Sequence, residues 1–417
     1  MSNVVYESCP TDCECYTITT PQTASITPST SKEKAHFNTH ECQDDCECYE
    51  NANKFVSEAP APEKAPRLPW LSTLLPLWVF LAMAIGIIIG KFVPSAGPNL
   101  NSTTFTGVSV PIFIGLLLTM YPILCKVEFE DLPKALRTKN MWKQLLVSFV
   151  INWIVSPALM FGLAWAFLPD KPELREGLMI VGIARCIAMV LIWNELAFGD
   201  SFYCAVLVSF NTILQIILFP PLAYFVVNYV SQNHNHDAHV GHLDYGSVTK
   251  YVAIFMAIPL AAALITRFLF KKIPNWEKNE HKFIQWISPL SLIALLYTII
   301  VLFASQGARV VDQIISVLRV AAPLVVYFLI TFCGTMLYCL KAGKFNYAIS
   351  VTQSFTAASN NFELAIAIAA SLFGTQGGQA LATTVGPLIE VPVLLALVYA
   401  ARWLRARWLR NNQKESV

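Results

Sequence analysis

From Trp70 onward the chain is a near-continuous succession of apolar stretches, roughly 70–92, 107–125, 144–168, 176–198, 202–229, 250–270, 284–305, 318–340, 347–373 and 379–403. Most approach the ~20 helical residues that a hydrocarbon core of about 30 Å demands. A backbone in hydrocarbon must satisfy its own polar groups, so stretches of this length read as helices. Composition agrees, with 55% of the 417 residues hydrophobic and 13% charged, too apolar for a soluble domain of this size. The expected fold class is an all-α membrane protein with ten transmembrane helices.

Orientation follows from Lys and Arg, which resist translocation. Alternate loops segregate. One side receives 22 of these residues, including the N-terminal tail, the loop 126–143, the loop 267–282 and the C-terminal run Arg402, Arg405, Arg407, Arg410 and Lys414; the other receives six. Both termini are therefore expected in the cytoplasm, at the plasma membrane or alternatively a vacuolar one. The sequon Asn101-Ser102-Thr103 then falls outside. With a net charge of +2 and no basic stripe interleaved with aromatics, nucleic acid is not an expected partner.

Ten spans divide into two fives, and an odd number per half would turn the second half upside down relative to the first. An offset of 175 residues sets "FGD" at 198–200 against "FGT" at 373–375, and Asn211 and Gln215 against Gly386 and Glu390. It also aligns the fourth stretch with the ninth, the two with the most polar interiors. The expected organisation is a disordered cytoplasmic tail (1–69), a first five-helix repeat (70–229), a His-rich external loop (230–249), a second repeat (250–403) and a basic tail (404–417).

The fourth stretch carries Arg185 and Cys186 near its middle, and the ninth carries Thr356, Ser359, Asn360, Asn361 and Glu363. A charge at that depth costs at least ~2.5 kcal/mol on insertion scales, so Arg185 should face a cavity or a partner. Asn360 followed by Glu363 has the spacing of a capping box, the device that starts a helix. Within a membrane it marks a broken helix restarting near the midplane, tolerated where the backbone lines a site. A guanidinium beside Cys186 favours thiolate, the form that binds soft ions. Glu363 reads either as a proton carrier or as a structural partner of Arg185, and Glu390, between Pro387 and Pro392, as a proton group or a hydrogen-bonded kink. Cys125, Cys204, Cys333 and Cys339 read as packing residues.

The phrases "MYPILCKVEFEDL" (120–132), "GIARCIAMVLIWNELAFGD" (182–200), "ASNNFELAIAIAASLFG" (358–374) and "VGPLIEVPVLLALV" (385–398) resemble the signature segments of arsenical-resistance permeases. These are the arsenite exporters of the bile acid, arsenite and riboflavin transporter superfamily. The resemblance covers roughly residues 68–405. It implies two inverted five-helix repeats with discontinuous fourth and ninth helices crossing near the site, and Cys186 with Glu363 as the functional pair. It implies no cofactor and no enzymatic activity, and no HExxH, GxSxG or paired-aspartate pattern occurs on the spans. Cys125 stands where the family has a small apolar residue.

The chemistry is consistent with this. Trivalent arsenic in water is mostly neutral As(OH)3, whose hydroxyls exchange for thiolates. A single Cys186 offers a soft ligand that can let go, whereas three would hold too tightly for turnover. Arg185, Thr356, Ser359, Asn360 and Asn361 are the candidates to bind the solute alongside it, because a polar solute entering a dry cavity needs hydrogen bonds. Uphill export needs a driving ion, and a carboxylate withdrawn from water can take up and release a proton; Glu363 and Glu390 are the candidates. One proton entering per neutral solute leaving would gain ~2.3 kcal/mol per 100 mV of membrane potential.

Two further motifs lie outside the resemblance. Cys9, Cys13 and Cys15, then Cys42, Cys46 and Cys48, repeat the spacing C-x-x-x-C-x-C among acids. In a reducing cytoplasm these are thiols rather than disulfides, and each triad is expected to capture arsenite or a soft metal. The loop 234–242 carries His234, His236, His239 and His242 with Asp237, a spacing that permits zinc or copper. Two competing functions remain at this level. In a sodium-coupled organic anion importer of the same superfamily Arg185 would pair with the substrate's anionic group and Cys186 would be dispensable; a membrane sensor would not need two pseudo-symmetric gates.

Overall fold

The computed structural model describes residues 5–8, 14–17, 74–105, 107–126, 137, 139–187, 189–231, 244–272 and 276–415. Residues 1–64 and 65–417 are separate compact units. In the first, strands β1 (Val5–Ser8) and β2 (Glu14–Thr17) pair antiparallel, with Cys15 opposite Glu7. The side chains of the tail cysteines Cys9, Cys13, Cys15, Cys42, Cys46 and Cys48, and the whole of the histidine loop 234–242, lie outside the described residues.

The second unit is helical: α1 (Leu75–Phe92), α2 (Ala96–Leu100), α3 (Val110–Lys126), α4 (Lys139–Val150), α5 (Ser156–Phe167), α6 (Pro172–Ile183), α7 (Met189–Leu196), α8 (Ser201–Phe225), α9 (Tyr245–Val252), α10 (Ile258–Lys271), α11 (Trp276–Asp312), α12 (Ile314–Lys341), α13 (Tyr347–Ala358), α14 (Phe362–Phe373) and α15 (Gly378–Glu415). Every apolar stretch read from the sequence contains helix. Among the described residues, six helical segments are long and apolar enough to cross a membrane: Met141–Phe167, Ser201–Val230, Tyr245–Lys271, Pro289–Gly307, Ile314–Lys341 and Gly378–Arg407. Shorter apolar helices occupy Leu77–Phe92, Val110–Lys126 and Phe362–Phe373.

Local chemistry explains the irregularities. Pro157 and Pro259 lack the N–H that would bond four residues back, and their rings crowd that carbonyl. The chain widens to a π turn immediately before each, at Ile151–Val155 and Ala253–Ala257, so α4 continues into α5 and α9 into α10 without a break. Close helix contact needs small residues where backbones meet. On α1, Gly86 and Gly90 are four apart and face α11, and a Cβ on Gly90 would lie 2.7 Å from the Ala304 carbonyl oxygen.

The 175-residue offset reappears in the element bounds. Helices α6 and α13 both have twelve residues, and both ends are related by the offset. It also carries Lys139, the start of α4, onto Ile314, the start of α12.

Both half-helices are tethered at their entry. At the start of α6, buried Arg175 donates to the carbonyls of Leu168, Pro169 and Ser231 and stacks 3.7 Å over the Trp165 ring. Glu176 accepts from Ser231 Oγ (3.0 Å) and Gln379 Nε2 (2.8 Å), and Glu173 from the Gly378 N–H (2.9 Å). At the start of α13, Asn346 caps the helix by accepting from Ile349 N, and the Tyr347 hydroxyl bonds the carbonyls of Ala197 and Ala401. After α2, the Asn101 amide nitrogen donates to Gly97 O (3.0 Å).

Candidate functional site

The fourth and ninth stretches are interrupted where the sequence placed polar residues. Helix α6 ends at Ile183 and the chain runs extended from Ala184 (φ −85°, ψ 111°) before α7 starts at Met189. Helix α13 ends at Ala358 and runs extended from Ser359 (φ −95°, ψ 139°) before α14 starts at Phe362. The two extended segments pair with each other: Arg185 and Asn360 form an antiparallel bridge, with Cys186 N donating to Ser359 O (3.4 Å) and Asn361 N to Ala184 O (3.0 Å). The offset of 175 maps one bond onto the other, Cys186 onto Asn361 and Ala184 onto Ser359.

Breaking a helix inside a dry interior frees N–H and C=O groups that must find partners. Here the partners come largely from the opposite segment and from two side chains thirty residues on. Gln215 on α8 accepts the Arg185 N–H through Oε1, while Glu390 on α15 accepts the Asn360 N–H at 3.3 Å and the Ser359 hydroxyl at 2.6 Å. Gln215 and Glu390 are also related by 175 residues. The Asn360 amide nitrogen donates to the carbonyls of Val181 (2.8 Å) and Ala184 (3.2 Å).

Arg185 is fully buried and its guanidinium makes no ion pair with Glu363 or Glu390. It donates instead to Gly182 O at the end of α6, to Ala357 O at the end of α13 (3.4 Å) and to the Tyr327 hydroxyl (3.3 Å). Both carbonyls lie at helix C-termini, where partial negative charge accumulates; each such end is worth about 0.3–1 kcal/mol to a cation and up to ~2 when partly buried. Two converging termini plus charge-assisted hydrogen bonds of ~1.5–3 kcal/mol match the insertion cost of about 2.5–3.5 kcal/mol. The pairing of Arg185 with Glu363, one of the two readings from sequence, is therefore replaced by a helix-end role.

The cap also differs from the spacing read in the sequence. Asn361, not Asn360, is the N-cap of α14, its Oδ1 accepting from Leu364 N at 3.0 Å. Asn360 is occupied by the bridge one residue earlier. Glu363 lies in the first turn of α14, where the positive end of a helix favours an acidic group.

A cavity of about 40 Å³ adjoins the crossing, lined by Met189, Asn360, Phe362, Glu363, Pro387 and Glu390 together with apolar residues of α1, α3 and α11. By the ~10–15 Å³ that one water requires, it admits a solute of a few heavy atoms; pockets for larger organic ligands run to about 300–1,000 Å³. Gly386 leaves the space that the Phe362 ring occupies at its wall.

The predicted site residues thus divide. Asn360, Glu363 and Glu390 line the cavity, and Asn360 Oδ1 and Asn361 Nδ2 are buried without a partner, an acceptor and a donor. Cys186 is buried, 3% exposed, in the extended segment against Ser359, and is not among the residues lining the cavity. The hydroxyl of Thr356 is bonded to Thr352 O within its own helix (2.7 Å), and that of Ser359 to Glu390. Sequence reasoning missed Tyr327, and it saw Gln215 only as a repeat position. The available signal was a polar residue thirty places beyond each break.

Crossed, interrupted helices beside a small, largely apolar cavity whose wall includes Asn360, Glu363 and Glu390, within a multi-pass membrane protein, define a transporter class, and comparison with known proteins agrees. Residues 113–313 match the Sodium Bile acid symporter family. The chain is 44% identical over 349 residues to the arsenical-resistance protein Acr3 of Corynebacterium glutamicum, covering 84% of this chain and 93% of that protein. It is 30% identical over 352 residues to the Acr3 of Alkaliphilus metalliredigens (82% and 95%), and 33% over 362 residues to an uncharacterised transporter of Synechocystis (82% and 91%). The chain belongs to the arsenical-resistance permeases of the bile acid and arsenite transporter superfamily.

Proposed function

We propose that this chain exports arsenite from the cytoplasm in exchange for protons, through ten transmembrane helices arranged as two inverted five-helix repeats with both termini cytoplasmic, in the plasma membrane. The observation that carries the reading is the bridge between the two interrupted segments, which sets Cys186 against Ser359 beside a cavity lined by two carboxylates. The matched bounds of α6 and α13, and the matched bonds from Gln215 and Glu390, support the repeat.

In this mechanism the Cys186 thiolate exchanges with one hydroxyl of As(OH)3 while Asn360 Oδ1 and Asn361 Nδ2 hold the other hydroxyls. Glu363 and Glu390 carry the proton. A Glu390 carboxylate accepts from Ser359 and Asn360; once protonated it is a weaker acceptor, which loosens the second break and lets the half-helices shift. The cavity's size supports a compact neutral solute over an organic anion. The tail triads, as a separate proposal, pre-capture arsenite, and titration of the full-length protein with arsenite should then show arsenic–thiolate absorption in excess of one site, lost when both Cys9, Cys13 and Cys15 and Cys42, Cys46 and Cys48 are replaced.

Everted vesicles test the assignment. With an acidic lumen, wild type should accumulate radiolabelled arsenite and Cys186→Ser should not. Equal accumulation by Cys186→Ser, or none by wild type, removes the proposal.

A further inference from the structure

At the end of α7 away from the cavity, the chain turns through a residue that the turn itself would not choose. Ala197, Phe198 and Gly199 donate their N–H groups back to the carbonyls of Trp193, Glu195 and Asn194, and Phe198 adopts φ +59°. That left-handed position past a helix end is glycine's by default, and a bulky side chain held there calls for a reason. The reason lies on α15. The guanidinium carbon of Arg405 sits 4.1 Å over the Phe198 ring and that of Arg402 5.3 Å. Beside them the Tyr347 hydroxyl bonds the carbonyls of Ala197 (3.0 Å) and Ala401 (2.8 Å). The end of α7, the start of α13 and the last part of α15 therefore meet at one junction.

Stacking on a ring occupies a face of a guanidinium and leaves its N–H edge, the fork that fits a phosphate. Among the described residues no carboxylate forms an ion pair with Arg402 or Arg405. Asp200, at the same end, accepts instead from Tyr203 N as the cap of α8.

The depth of the pair names the ligand. Both arginines stand in the last two turns of the apolar segment Gly378–Arg407. Tyr399 and Trp403, four apart, are 62% and 59% exposed on the neighbouring face, and the Arg407 guanidinium continues it 5.5 Å over the Trp403 ring. Exposed Tyr and Trp at the end of a spanning helix mark the headgroup level of a bilayer, where cations between helices hold anionic headgroups.

We propose that Arg402 and Arg405, positioned by Phe198, bind the phosphate of an anionic phospholipid in the leaflet at the chain's C-terminal end. The phosphate bridges the two forks and fixes the junction of α7, α13 and α15. From that junction α7 and α13 lead back to the two breaks, at Met189 and Ala358.

The test is a titration of the full-length protein in neutral detergent with dioctanoyl phosphatidylglycerol, read by melting temperature and by native mass spectrometry. Dioctanoyl phosphatidylcholine and inorganic phosphate form the parallel arms. Phosphatidylglycerol should raise the melting temperature saturably, by at least about 3 °C, and appear as a bound adduct, while the other two produce less than half that shift. An Arg402→Lys, Arg405→Lys double variant keeps both charges but lacks the forks, and should lose most of the shift and the adduct; the adduct reads binding even where the variant's own melting temperature falls. Phe198→Leu keeps both arginines and should raise the midpoint concentration at least about fivefold. No shift in wild type, an equal shift with phosphatidylcholine, or undiminished binding by the double lysine variant overturns the proposal. An equal shift with inorganic phosphate overturns the lipid as its occupant. Neither readout involves arsenite, so failure of the export reading leaves this result standing by itself.

Discussion

Around Arg185 the chain leaves a helix at Ile183 and re-enters one at Met189, and around Asn360 it does the same between Ala358 and Phe362. In each case the break is latched by an acceptor thirty residues on, Gln215 in the first and Glu390 in the second. The backbone solution is common and the chemistry is not. The first crossing brings a cation, a thiol and a neutral latch; the second brings two amides, a hydroxyl and a latch that can change charge. Physical requirements for breaking a helix in hydrocarbon constrain the geometry of both, since the freed N–H and C=O groups need partners. They leave the titratable character of the partner open, and there the two halves diverge.

That difference can be broken from either side. The largest effect should come from Cys186→Ser, which removes the soft ligand and should lower arsenite transport by at least about 100-fold, beyond the 10–100-fold usual for losing a supporting group. Glu390→Gln comes next, because it gives the second crossing the latch of the first. An amide oxygen can still accept from Ser359 and Asn360, so the protein should fold. Its steady-state accumulation across one pH unit should drop from about tenfold to unity, with arsenite–arsenite exchange retained. Gln215→Leu instead leaves the Arg185 N–H without its acceptor, and should cost about 1–3 kcal/mol of stability, measured as a lower melting temperature in detergent.

The smallest effect lies away from both crossings. Arg319 grips exposed Asp170 with both terminal nitrogens, and this pairing holds the Asp170 carboxyl at about 2, below its ordinary 3.8. A depressed acid contributes stability that is present above its unfolded value and lost as pH falls through the folded one, here between about pH 4 and pH 2. Exposed pairs are well screened, so Asp170→Asn should leave transport unchanged and melting nearly so at pH 7, with any difference vanishing below pH 2.

The break in the ninth stretch was legible in the sequence from the capping spacing of Asn360 and Glu363, and that in the fourth only through the family resemblance, although polar residues at membrane depth are costly and mark both stretches. "ARC" and "SNNFE" stand out against their apolar flanks, and the 175-residue offset linked them before any coordinates. What escaped depends on contacts far apart in the chain. Arg185 was assigned a cavity or an acidic partner, but its acceptors are helix-end carbonyls of Gly182 and Ala357, invisible without knowing that α6 and α13 end side by side. Thr356 looked like a solute contact and instead bonds its own helix, a local option that threonine always has in a helix. The cap fell on Asn361 because the bridge to Arg185 takes Asn360. Either asparagine would satisfy a capping rule, and only the partner segment decides.

The central claim is that the carboxylates beside the second break couple proton movement to a solute held between the two breaks. It is tested most directly by measuring radiolabelled arsenite accumulation in everted vesicles as a function of the imposed pH difference, in wild type and in a Glu363→Gln, Glu390→Gln double variant. The account predicts accumulation that rises with luminal acidity in wild type and a flat response at unity in the double variant. Accumulation that follows the proton gradient in the absence of both carboxylates would contradict it.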